Sequence, residues 1–236
     1  MELPDVDAGS RVYLKHTDHF SGAAEGWSDA EIISQEQRQA VAEANGVVSI
    51  AAVALQGCAT TREAAERNAT KLRARFVIRD IILDKRILST SDTVLNGPAM
   101  RDRAHPVYRS VFQDGNAGDI TDVQSREEPE EAAAMRDRLA VVPDFTNKAQ
   151  VKADLDDALT KSFAARDALD VGEAAERKAV DAELQARLAV RAALEKAYGI
   201  LRGAFPGQRK LVESFFYRTA KRAKSTKRAG APVQTP

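Results

Sequence analysis

The amino-acid sequence predicts an all-α protein. Three observations carry that prediction. The composition is rich in alanine and poor in aromatics; apolar residues recur every three to four positions over long stretches; and helix-start and helix-stop signals divide the chain. Alanine has little side-chain entropy to lose in a helix and lets neighbouring backbones approach. Aromatics make up 6% of the 236 residues and charged residues 30%. That balance suits helices packed side by side. With 44% hydrophobic residues the chain can bury a core of one large or two small domains.

Residues 1–27 read as an irregular segment, with an extended piece at Val12, Tyr13 and Leu14. The first start signal is Ser28-Asp29-Ala30-Glu31, where Ser and Glu three residues apart form a capping box. Trp27, just before it, is expected to pack as a staple. Ala40, Ala44, Val47, Ala51 and Leu55 then follow helical spacing, and Gly57 is read as the end. A second capping box, Thr60-Thr61-Arg62-Glu63, opens the next helix. Its stripe holds Ala65, Ala69, Leu72, Phe76, Leu83 and Ile87, and it stops at Asn96-Gly97-Pro98. Residues 28–95 are therefore expected to form a first helical hairpin.

Residues 96–129 are a glycine- and proline-rich connector, with a short helix or turn expected at Pro106–Phe112. The stretch Asp114–Asp119 has the residue types of a calcium loop. It lacks the glutamate six positions after Gly115, where Thr121 stands. Residues 130–217 read as a second hairpin with a short C-terminal helix. Pro129 lies at a helix start, Val142-Pro143 interrupts, and a long helix begins near Asn147. Asp170-Val171-Gly172-Glu173 is read as the turn, and Gly203 and Phe205-Pro206-Gly207 as the close. A last short helix is expected from about Gln208 to Thr219. Glu63-Ala-Ala-Glu-Arg67 recurs as Glu173-Ala-Ala-Glu-Arg177, so the hairpins read as a pseudo-repeat. Two long antiparallel hairpins of this kind predict an elongated, four-helix-bundle-like body.

Function is far less legible. Cys58 is the single cysteine, so no intramolecular disulfide forms. With no secretory signal and no apolar run near 18–20 residues, the expectation is a cytoplasmic protein without a membrane span. Val47–Leu55, the most apolar run, is broken by Ser49 and followed by Gly57. His16 and His19 stand at i, i+3 around Asp18, but the remaining histidine is His105, so a zinc set lacks a third ligand nearby. No Glu-x-x-His pair supports a di-metal bundle site, and no nucleophile elbow, phosphate loop or dinucleotide fingerprint occurs. No cofactor is expected.

The chain is neutral as a whole, yet Arg218, Lys221, Arg222, Lys224, Lys227 and Arg228 crowd a basic tail, residues 218–236, with no acid among them. Leu211, Phe215, Phe216 and Tyr217 precede that tail. Consecutive aromatics on a helix cannot all face one side, so this segment, with Leu211, is expected to be a docking or capping element. The reading is a non-enzymatic structural or protein-interaction protein that self-assembles or binds a protein partner through helical faces. The alternative is a nucleic-acid or other polyanion-binding module acting through the tail.

Overall fold

A computed structural model describes residues 1–113 and 115–218 of the chain. Every regular element among the described residues is a helix. The order is α1 (Ser10–Ser28), α2 (Gln35–Asn96), α3 (Pro106–Phe112), α4 (Ala117–Thr121), α5 (Glu128–Val141), α6 (Lys148–Ala204) and α7 (Arg209–Ser214). The fold is all-α, as expected. The chain divides into two compact units: residues 1–58 with the described residues from Glu183 on, and Ala59–Ala182.

The first unit is built from α1, the N-terminal part of α2, the C-terminal part of α6, and α7. Tyr13 and Phe20 of α1, Val41, Val48 and Leu55 of α2, and Val190, Leu194 and Leu201 of α6 share one core. Phe205, Val212, Phe215 and Phe216 complete it. The segment before α1 is tied down by side chains: Arg187 donates to the Ala8 carbonyl at 2.9 Å and Arg191 to the Pro4 carbonyl at 2.7 Å.

α1 lies where an irregular segment is expected. Its buried face is Tyr13, His16, Thr17, Phe20 and Ala24, a helical period in which two members are polar. Counting only apolar residues hides that stripe. The capping box is also displaced. Ser28 ends α1, and Ser34 caps α2 instead: its hydroxyl accepts from the Gln37 N–H at 3.2 Å, and the Gln37 side chain accepts from the Ser34 N–H at 2.9 Å. Serine followed three residues on by glutamine is the same reciprocal device, six positions later.

The two expected hairpin turns do not form. α2 runs unbroken through Gly57 for 62 residues, and α6 runs unbroken through Gly172 for 57 residues. A mid-helix glycine costs about 1 kcal/mol relative to alanine. That is too little to break a helix whose two ends are each anchored in a core. Good helix formers on the far side of Gly57 also favour continuation, with Arg62–Glu66 and Glu63–Arg67 ion pairs at 3.1 and 3.3 Å. Gly172 serves close packing. A Cβ there would lie 2.5 Å from Leu72 Cδ1 and 3.9 Å from Ala69 Cα. The repeated Glu-Ala-Ala-Glu-Arg segments therefore sit inside long helices rather than opening them.

In the second unit, α3, α4 and α5 pack with parts of α2 and α6 around Leu83, Ile87, Val94, Tyr108, Val111, Met135, Leu139 and Leu155. Pro106 starts α3 at its first position, where its missing N–H is no loss. His105 caps that helix, accepting from the Val107 N–H at 3.2 Å. The calcium-like stretch is used for a helix start. The Asn116 side chain accepts from the Gly118 N–H, and Asp119 accepts from the Asn116 N–H, both at 2.7 Å. Outside the core, Arg73 pairs with Glu173 and Glu176 at 3.2 and 2.8 Å, and Arg126 pairs with Asp170 and Glu173 at 2.7 and 2.9 Å.

Candidate functional site

The segment expected to dock or to cap folds inward. α7 stops at Ser214, so the aromatic run lies in the turn after it and escapes the angular constraint of a helix. Phe215 and Phe216 are buried, with ring centroids 5.7 and 5.4 Å from Phe20. Trp27 stacks on Phe215 at 6.3 Å and donates its indole N–H to the Ser214 hydroxyl at 3.1 Å. Leu211 is half-buried against the same core. These residues close the first unit's own core instead of offering a free apolar edge.

Tyr217 is half-buried and receives the N-terminal histidines. His16 and His19 meet its ring edge-on at 5.1 and 5.7 Å, and the Lys15 ammonium lies 4.5 Å from its centroid. His19 Nε2 lies 3.2 Å from the Ser214 carbonyl oxygen, to which it can donate. Burial holds the His16 imidazole below its usual range. Arg218 is exposed and ion-paired to Glu213. Lys221, Arg222, Lys224, Lys227 and Arg228 lie outside the described residues.

The densest unabsorbed chemistry is a carboxylate cluster in the second unit. Asp80 and Asp84 stand one turn apart on α2, and Glu128 is the first residue of α5. One carboxylate oxygen from each lies within 4.8 Å of the other two. Glu128 is 1% exposed. Its Oε1 and the Oδ1 of Asp84 are buried and accept no hydrogen bond. Asp80 Oδ2 accepts from the Ser125 hydroxyl at 3.0 Å. Burial, with Asp80 and Asp84 alongside, pushes the Glu128 carboxyl up to about 9. Asp84 is raised too, first by burial and then by the negative charges of Asp80 and Asp122. Such a group of acids must lose charge repulsion somewhere, by holding a proton or by coordinating a cation.

Sequence reasoning missed this cluster. Glu128 reads as an ordinary first-turn acid beside Pro129. The available signal was Asp84 itself, a carboxylate directly after the apolar triplet Ile81-Ile82-Leu83 of α2.

A second feature lies on the outward side of α2 in the first unit. Val41, Ala44, Val48 and Leu55 face the core. Ala42, Gly46, Ile50, Val53 and Gly57 fall on the opposite side, and all five are exposed. Ile50 is 75% and Val53 71% exposed. A Cβ placed on Gly46 or Gly57 would find no other atom within 4 Å. α2 holds an 18-residue stretch of mean hydropathy 1.4, of which 22% is buried. By length and composition such a stretch could cross a membrane, and a core helix passes the same test.

Comparison with protein-family profiles, with curated proteins and with solved structures finds no match to this chain.

Proposed function

We propose that this is a non-enzymatic helical assembly protein whose partner is a second copy of itself, seated on the outward face of α2. The observation that supports the reading is the symmetry of that face. Gly46 and Gly57, and Ile50 and Val53, are each placed equally about the midpoint between Ala51 and Ala52. A two-fold interface requires that kind of self-complementarity, residue i meeting j and j meeting i. With two α2 helices antiparallel, Ile50 of one copy meets Val53 of the other, and the glycines let the backbones approach. From Ala44 to Thr61 the sequence carries no charged residue, with Glu43 and Arg62 at the two ends.

Four large aliphatic side chains make a small interface, so association is expected to be reversible and to depend on concentration over the micromolar range.

Light scattering coupled to size-exclusion chromatography, run across that range, tests the reading. The expected result is a monomer–dimer equilibrium that Ile50→Glu with Val53→Glu shifts to monomer while the circular dichroism spectrum stays helical. A monomer at every concentration overturns it. Recovery in the membrane fraction, with release only by detergent, also overturns it and assigns the face to lipid.

A further inference from the structure

Independently of that surface, the second unit contains a site at which three carboxyl groups converge. Asp80 and Asp84, at i and i+4, project from the same side of α2. Glu128 enters from the start of α5, and the three side chains bring carboxylate oxygens within 4.8 Å of one another. An acidic group on a protein surface needs no explanation beyond hydration. Here hydration is denied to two of the oxygens. Glu128 is 1% exposed, and its Oε1, like the Oδ1 of Asp84, is out of contact with solvent and accepts from no donor. A buried carboxylate oxygen left unsatisfied is costly, and more so when the group is charged. The residues acting most strongly on Glu128 and Asp84 are themselves acids: each other, Asp80 and Asp122.

We propose that Asp80, Asp84 and Glu128 bind one divalent cation of the hard, oxygen-liganded class, calcium before magnesium, tying the first turn of α5 to α2. Carboxylate oxygens, with no nitrogen or sulfur donor in the group, match that class of ion. Ligand chemistry selects within the class: calcium takes six to eight oxygens in flexible geometry and accepts several carboxylates directly, whereas magnesium demands near-ideal octahedral geometry and gives up its waters reluctantly. The buried Glu128 Oε1 and Asp84 Oδ1 supply acceptors that the ion would satisfy, and the Ser125 hydroxyl holds Asp80 in orientation. Water completes the coordination from the exposed side, where Ser125 and Asp122 lie.

The test uses the full chain, stripped with a chelator and dialysed, with calcium, magnesium and manganese titrated separately by calorimetry and by thermal unfolding. Calcium is expected to bind one to one and raise Tm, with magnesium at least tenfold weaker. Glu128→Gln keeps shape and hydrogen-bonding capacity while removing the charge, and should weaken calcium binding at least tenfold in a folded protein. Asp80→Asn, at a more accessible position, should do the same and serves as the second variant if Glu128→Gln fails to fold. Absence of heat and of a Tm shift in the unaltered protein up to about 1 mM calcium overturns the proposal. So does a shift that both variants retain, because the ion then binds other surface acids. Equal affinity for magnesium overturns the assignment to calcium.

Discussion

His16 is the residue whose protonation bears most directly on stability. It is buried in α1 against Tyr217, and its imidazole is held below the ordinary value of 6.5, chiefly by burial. The unfolded chain therefore takes up a proton at higher pH than the folded one. The stability His16 confers is complete above about pH 6.5 and is lost as the pH falls through that value toward the lower folded pKa. Urea unfolding at pH 7.5 and pH 5 should show a loss in the unaltered protein that His16→Gln reduces; an equal loss in both proteins would contradict this. Individual residues were also the hardest scale to read from sequence. Nothing in a linear pattern reveals that Glu128 meets two aspartates more than forty positions earlier. Nor does it reveal that the Phe215–Phe216 pair escapes a helix and can share one core.

The elements were legible in kind but not in extent. Helical periodicity located α2, α5 and α6, and Pro106 located α3. The sequence placed turns at Gly57 and Gly172 because glycine and capping residues coincide there. Local signals of about 1 kcal/mol are outweighed by cores that hold both ends of a helix. α1 was missed because His16 and Thr17 occupy core positions. The continuity of α2 makes an opposite prediction to a turn at Gly57. Gly57→Ala, whose Cβ enters open space, should stabilise the protein by about 1 kcal/mol. Chemical denaturation below the concentration of self-association measures it, and destabilisation would favour a turn. Gly172→Val should destabilise by about 1–3 kcal/mol, because the added atoms press on Leu72 and the Ala69 backbone.

At the scale of the whole molecule, two separate hydrophobic clusters carry the stability. Leu201 is fully buried in one and Leu139 in the other. Leu201→Ala and Leu139→Ala should each cost about 2–5 kcal/mol. With no shared partners their effects should add to within about 0.5 kcal/mol in a double-mutant cycle, and a larger coupling would mean the clusters are not independent. The division of the chain between the two units also bears on synthesis. Residues 59–182 are contiguous, whereas the other unit joins Met1–Cys58 to residues from Glu183 on. A ribosome releases the contiguous stretch while the aromatic pair that closes the first core is still untranslated. Tyr13, Phe20, Val48 and Leu55 must then wait, exposed or chaperoned, through more than a hundred further codons. These residues thus leave the exit tunnel well before the segment that completes their burial.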